Sequence, residues 1–354
     1  MKNIEKQNLI IKKSWENKKR TFKPEAISLS HEELLEVSYL QPEELLPLVV
    51  KPKLTDLNLK IWAQSNMEFI EANLLRHGGI LFRGFNVSTQ TDFEQFIDSI
   101  SSRLMPYMEG ATPRTKLSEK IYTSTEFPPD QFIALHNELS YVMTWPMNIW
   151  FCCIKPANLG GQTPIADMRK VFQRIHPQIR KRFMEKGWML VRNFGDGFGL
   201  RWQKTFNTTD KMALEEYCRK ARIEIEWKGD NRLKTRQIRP SVAKHPKTGE
   251  MVWFNHIAFW HISSLEPKLC EMLLAEFNEE DLPYNTYYGD GSSIEASVID
   301  EIREAYQQET VAFPWHQGDI LMLDNMLVAH GRNPYEGSRK VLVAMGEPFT
   351  RTDI

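Results

Sequence analysis

The stretch Leu135-His136-Asn137-Glu138-Leu139-Ser140-Tyr141 decides how this chain is read. Side chains on an extended segment alternate with a period of two, so His136 and Glu138 are expected on one face, imidazole and carboxylate converging on one point. Directing such a pair inward is costly unless the groups bind something. By itself the pattern is weak, because a His-x-Glu arises by chance in many solvated or core pairs. What it lacks is a third donor.

The chain offers one far downstream, in Asp324-Asn325-Met326-Leu327-Val328-Ala329-His330-Gly331-Arg332. Two histidines and one carboxylate that leave other positions open make the facial triad of non-haem Fe(II) oxygenases. His136 and His330 lie 194 residues apart (330 minus 136), so the fold must return distant strands to neighbouring places. Apolar residues recurring at three and four predict one amphipathic helix over 57–75, and a second helix capped by Thr89 or Thr91. Further helices are expected over 166–175, 211–222, 265–277 and 294–307. Apolar runs over 80–85, 148–154, 188–192, 251–254, 319–323, 326–330 and 340–345 read as strands. Together they imply a mainly β protein, a β-sandwich or jelly-roll core with flanking helices packed outside.

The 354 residues allow one large domain or two small ones. Residues 1–55, charged and punctuated by Pro42, Pro47 and Pro52, read as an N-terminal extension packed on a single domain of residues 56–354. That domain carries an insertion over the stretch 195–310. Ser30-His31-Glu32-Glu33 resembles a capping box, so a short helix is expected there. The net charge of −1 gives no global reason for a nucleic acid or anionic membrane partner. The N-terminus has no apolar signal core, and no apolar run approaches the roughly 20 residues of a membrane span. The protein is therefore expected in the cytoplasm. Cys152, Cys153, Cys218 and Cys270 lack C-x-x-C spacing and read as reduced, Cys152 and Cys153 in their apolar run as packing residues. The long polar stretch from Gly110 to Asp130 runs into the His136 motif and reads as a substrate-facing lid.

Four motifs then occur in one order: the His136 stretch, Gly160-Gly161-Gln162-Thr163-Pro164-Ile165-Ala166-Asp167, Trp253-Phe254-Asn255, and the His330 stretch. In these the chain resembles the taurine dioxygenase and clavaminate synthase (TauD/TfdA) family of Fe(II)/2-oxoglutarate-dependent oxygenases, and within it the syringomycin-type amino-acid hydroxylases. The resemblance implies a clavaminate synthase-like double-stranded β-helix (jelly-roll) core with flanking helices, and an enzyme that uses Fe(II), 2-oxoglutarate as co-substrate and O2. It implies His136, Glu138 and His330 as iron ligands. Thr163, 27 residues beyond His136 (163 minus 136), would hydrogen-bond the distal carboxylate of 2-oxoglutarate. The family's arginine for that carboxylate follows the last histidine at a short interval, where position 344 holds Ala344, so the assignment falls on Arg339, ahead of Lys340 and Arg332.

An intact Glu138 argues against a halogenase, in which a small residue leaves that position to chloride. The implied reaction is hydroxylation of an unactivated C–H bond of a small amino-acid-like substrate, free or presented by a carrier protein, in antibiotic-type biosynthesis, with 2-oxoglutarate converted to succinate and carbon dioxide. Desaturation, cyclisation or oxidative decarboxylation at the same iron are alternatives, as is a jelly-roll ligand-binding protein without turnover. Tyr141, Trp145, Trp150, Phe254, Phe259 and Trp260 are candidates to line a dry pocket. Arg114 and Arg192 are candidates for the substrate carboxylate. His256 and His261 are expected to support the site or the fold rather than bind metal, and Asn137 and Asn255 to be polar groups of the pocket.

Overall fold

Strand Ile320–Asp324 is buried at all five positions, as a short uninterrupted apolar run should be when it is central to a sheet. In the computed structural model, which describes residues 31–105, 109, 115–118, 121–124, 127–195, 199–229 and 231–351, it lies in the larger of two core sheets. The strands in chain order are β1 (Leu35–Gln41), β2 (Glu44–Pro52), β3 (Gly79–Phe82), β4 (Tyr122–Thr123), β5 (Ile133–His136), β6 (Thr144–Lys155), β7 (Leu159–Gly160), β8 (Ile165–Asp167) and β9 (Trp188–Phe194). They continue as β10 (Glu224–Lys228), β11 (Arg232–Arg239), β12 (Val242–Lys244), β13 (Met251–Trp253), β14 (Tyr284–Tyr288), β15 (Thr310–Val311), β16 (Ile320–Asp324), β17 (Val328–Arg332), β18 (Tyr335–Glu336) and β19 (Lys340–Thr350). The larger sheet runs β1-β2-β3-β16-β6-β19-β4, and the smaller β15-β8-β17-β5. Leu321, Leu323, Phe151 and Val343 of the first share one apolar core with Ile165 and Val328 of the second. This is the expected jelly roll, and Asn325-Met326-Leu327 is where the chain crosses from one sheet to the other.

A third sheet, β10-β11-β9-β14, and the β12-β13 hairpin occupy the middle of the chain. The sheet has its own apolar cluster of Phe194, Trp202, Phe206, Leu214, Cys218 and Leu233. Thr89 does cap a helix, Gln90–Ile100, in a full capping box with Asp92. Cys152, Cys153 and Cys218 are buried and all four cysteines are unpaired. No helix among the described residues is long and apolar enough to cross a membrane.

Three expectations need correction. The predicted helix over 57–75 is two helices, Leu59–Ser65 and Met67–His77. Asn66 separates them, its Nδ2 donating to the Trp62 carbonyl at 2.6 Å and so competing with the helical ladder. Ala166 belongs to β8, and Asp167 caps the helix Met168–Arg174 that follows. The boundary drawn at residue 55 falls after two strands of the larger sheet, since β1 pairs with β2 and β2 runs parallel to β3. Charged residues at the rim of that edge disguise its buried centre, Leu48, Val49 and Val50. A single helical turn spans His31–Leu34, and the capping residue expected before it, Ser30, lies outside the described residues.

Candidate metal centre and co-substrate pocket

β5 ends on His136, directly opposite His330 of β17. Gly331 permits this approach, because a Cβ there would stand 2.6 Å from the Ile133 carbonyl oxygen. Glu138 reaches the same place by a route that alternation did not foresee. The strand stops at His136 and the chain turns, with Ser140 N–H donating to the Asn137 carbonyl at 3.3 Å and Val142 N–H to that of Leu139 at 3.1 Å. Leu139 adopts φ 55°, a left-handed conformation uncommon for a side chain of its kind. The Glu138 backbone takes the Asn325 amide in place of a strand partner: Glu138 N–H donates to Oδ1 at 2.7 Å, and Nδ2 donates to the Glu138 carbonyl at 2.8 Å.

One donor atom from each of His136, Glu138 and His330 lies within 4.8 Å of the others. Donors bound to a single ion at about 2.1 Å stand about 3–4 Å apart, so small side-chain movements would close the set around a metal. His136 Nδ1 lies 2.8 Å from the Ala134 carbonyl, which can only accept, so the proton is on Nδ1 and the Nε2 lone pair is left for a ligand role. His330 Nε2 is 3.7 Å from Glu138 Oε2, beyond hydrogen-bonding range. Its buried Nδ1 has no partner either among the described residues. A buried imidazole in that state is costly unless a ligand uses it, and the donor set fits Fe(II).

Beside this corner, the Gly160-Gly161 turn brings Thr163 against Arg339. Gly161 has φ 70°, and a Cβ there would press on Arg339 Cδ at 3.0 Å. Arg339 donates through Nε to the Gly161 carbonyl at 2.9 Å, and its Nη2 lies 3.5 Å from Thr163 Oγ1. Trp315, which no sequence motif singles out, donates to the same hydroxyl at 3.2 Å. Burial, and then the nearby Arg332 charge, push Arg339 down to about 10. No carboxylate pairs with it among the described residues, so the pocket presents a cation short of an anion. The two competing assignments are placed differently. Arg332 is occupied by the backbone carbonyls of Phe127, Pro128 and Gln131, and Lys340 is exposed at the start of β19.

The family described as "Taurine catabolism dioxygenase TauD, TfdA family" matches residues 40–345. The chain belongs to the TauD, TfdA family. It is 39% identical over 279 residues to the dapdiamide synthesis protein DdaC of Enterobacter agglomerans, covering 79% of this chain and 85% of that one. A clavaminate synthase-like protein of Arabidopsis thaliana is 29% identical over 321 residues, 84% of this chain and 93% of its own. Among solved structures, PvcB of Pseudomonas aeruginosa has a TM-score of 0.53 at 14% identity, covering 91% of this chain and 94% of that chain. AAD-2, solved with Mn(II) and N-oxalylglycine, has a TM-score of 0.52 at 14% identity, covering 90% and 99%. These two establish the shared fold. Membership of the TauD, TfdA family makes this protein an Fe(II)/2-oxoglutarate-dependent oxygenase, an enzyme that consumes O2.

On the TauD, TfdA scaffold the surroundings of His136 and His330 are aromatic. The rings of His256 and Phe259 lie 5.5 and 5.0 Å from that of His136, and Phe151, also unforeseen as a site residue, lies 5.0 Å from His330. Tyr141 and Trp260 continue the wall at 4.8 Å from His256 and 5.6 Å from Phe259. Trp145 and Phe254 pack on each other at 5.0 Å, and Trp150 is fully buried, so these three candidates serve the core. Burial, and then the neighbouring His136, hold His256 well below the usual imidazole range, and its Nδ1 meets Ser140 Oγ at 2.6 Å. His261 instead caps the short helix Ile262–Ser264. Arg192, buried on β9, stacks over Trp260 at 4.9 Å and Phe194 at 4.8 Å. Nearby, burial raises the Glu109 carboxyl, which accepts from the Tyr217 hydroxyl. Asn255 braces the backbone at Ser241 and Ile257, and Asn137 donates to the Asn325 carbonyl at 2.6 Å. Arg114 and part of the expected lid lie outside the described residues. The end of that lid over 127–131 is tied down by Arg332.

Proposed function

We propose that this oxygenase hydroxylates an unactivated C–H bond of an amino acid or carrier-tethered aminoacyl group in antibiotic-type biosynthesis, acting as one oxygenase domain whose 195–310 insertion shapes the substrate side. The observation that carries this reading is the buried Arg192 guanidinium behind the aromatic wall of the metal corner. An acid group held there would sit at the Trp260 end of the aromatic lining that starts at His136, and a dry apolar lining suits the carbon between them. The similarity to a dapdiamide synthesis protein supports the biosynthetic setting.

In this reading His136, Glu138 and His330 hold Fe(II), which together with 2-oxoglutarate and O2 supplies the oxidant. The Ala134 carbonyl fixes the His136 ring through Nδ1, so Nε2 remains directed at the ion. Arg339 and Thr163 receive the distal carboxylate of 2-oxoglutarate, and Trp315 orients the threonine hydroxyl from behind. Tyr141, Phe259 and Trp260 exclude water from the reacting carbon.

Anaerobic addition of Fe(II) and 2-oxoglutarate should produce a visible charge-transfer band that His136→Ala abolishes. Under air, succinate formation should be stimulated by a particular amino acid, free or loaded on a carrier protein, and mass spectrometry should find that substrate heavier by one oxygen. Arg192→Met should raise its KM by about 10-fold or more, as expected for loss of a charged hydrogen bond. A product of desaturation or ring closure would replace the hydroxylase reading with another outcome at the same iron. Absence of the band in the wild type would overturn the enzyme assignment itself.

A further inference from the structure

We infer that Asn325 is a positioning residue for the metal centre, setting the place of the Glu138 carboxylate through the backbone. The inference rests on the reading that His136, Glu138 and His330 hold a metal. Glu138 lies past the end of β5, beside a leucine at φ 55°. A backbone so placed keeps one conformation only where its surroundings over-determine it. The Asn325 side chain supplies that determination with three bonds. It accepts from Glu138 N–H at 2.7 Å and donates to the Glu138 carbonyl at 2.8 Å and to that of Pro146 at 2.9 Å. Its own backbone is fixed in turn, with Asn325 N–H on the Met147 carbonyl at 2.8 Å and its carbonyl accepting from Asn137 Nδ2 at 2.6 Å.

Asn325 also stands at the sheet crossing, five residues before His330 (330 minus 325). The same short turn therefore holds the carboxylate ligand and leads into the strand of the distal histidine. The turn is rigid, because Asp324 Oδ1 accepts from Met326 and Leu327 N–H at 2.9 and 3.0 Å. Outer groups that orient metal ligands typically contribute 10–100-fold to metal affinity or activity. Loss of the asparagine amide frees the Glu138 peptide to rotate and carries its carboxylate away from the two imidazoles.

The test is equilibrium binding of Mn(II) to the full chain, read by electron paramagnetic resonance as loss of the free-ion signal, alongside thermal melts without metal. Asn325→Ala and Asn325→Gln are compared with wild type and with Asn193→Ala. Asn193 is a second buried asparagine that clamps backbone, at the carbonyls of Glu280 and Leu282, away from the triad. The expected result is a 10–100-fold weaker Mn(II) affinity in both Asn325 variants, while Asn193→Ala lowers the melting temperature comparably and leaves the affinity unchanged. If Asn325→Ala does not fold, Asn325→Gln, which keeps an amide but displaces it by one methylene, decides. Affinity within threefold of wild type in the folded Asn325 variants overturns the inference while the metal reading stands. A wild type that takes up no Mn(II) overturns that reading and the inference with it.

Discussion

Two histidine–carboxylate pairs flank one turn and behave in opposite ways. His245 Nε2 meets Asp324 Oδ2 at 3.0 Å, and His245 Nδ1 accepts the N–H groups of Lys247 and Thr248 at 3.3 and 3.1 Å. Both ring nitrogens are thus used, with the proton on Nε2, and the other Asp324 oxygen caps the turn. His330 and Glu138, equally buried, stop at 3.7 Å and make no hydrogen bond with each other. Each pair sets a histidine beside a carboxylate, Asp324 in the first and Glu138 in the second. The difference lies in spacing: a pair closed by a hydrogen bond braces the fold, whereas one held open at 3.7 Å leaves room for a ligand between its members.

The sharpest way to break that contrast is at the open pair. Glu138→Gln should abolish Fe(II) or Mn(II) binding, a loss exceeding the roughly 100-fold attributable to outer groups. Its metal-free form should melt no lower than wild type, because an amide of the same size replaces a buried carboxylate whose charge is costly to desolvate. A melting temperature that falls while metal binding persists would make the pair structural and erase the distinction.

Much of the site was legible in the sequence because iron chemistry restricts residue types so severely. Two imidazoles and an acid on widely separated segments suit few roles besides holding a metal, and the jelly roll follows from having to join them. Strand alternation is nonetheless not what makes the first pair converge, since Glu138 stands on a turn and not on a strand. Alternation says nothing about a backbone captured by a side chain from 187 residues away. Asn325 and Trp315 were unreadable for the same cause: their partners are non-local, and neither residue type signals the role. Likewise, β1 and β2 passed for an extension because the edge strand β1 carries charge and its neighbour β2 carries Pro47 and Pro52, which are also the marks of a tail.

Arg339 and Arg332 repeat the contrast in cationic form, seven residues apart (339 minus 332). Arg332 is engaged by three carbonyls, whereas among the described residues Arg339 meets one carbonyl, that of Gly161, and the hydroxyls of Ser124 and Thr163. Arg339→Met should raise the KM for 2-oxoglutarate by about 10–100-fold, the range expected of hydrogen bonds to a charged group. The band formed with Fe(II) should return at saturating co-substrate. Arg332→Met should leave that KM within a few fold and instead loosen the 127–131 turn, which limited proteolysis would detect. A larger KM effect at Arg332 would exchange the two roles.

At the closed pair the expected effect is smaller and falls on stability. Asp324→Asn keeps an oxygen for the Met326 and Leu327 N–H groups but turns an amide donor toward a histidine nitrogen that is itself a donor. Moving the histidine proton to Nδ1 would relieve that clash only by stranding the Lys247 and Thr248 N–H groups, so either tautomer leaves a buried polar group unpaired. The cost should be about 1–3 kcal/mol, read from denaturant melts without metal. The 2-oxoglutarate KM should not move.

The smallest effect is expected where the guest carboxylate meets a neutral partner. Thr163→Val preserves shape and removes one hydroxyl, which stands between the Trp315 indole and Arg339. A single neutral donor to a carboxylate falls at the low end of the range for hydrogen bonds to a charged group, about 1.5 kcal/mol, so the KM for 2-oxoglutarate should rise about 10-fold with kcat nearly unchanged. Combining Thr163→Val with Arg339→Met tests whether the two act on one carboxylate. Residues that share a ligand should couple, making the double variant less impaired than the product of the single effects. Strict multiplication would assign the threonine to another part of the pocket and leave Arg339 to hold the co-substrate alone.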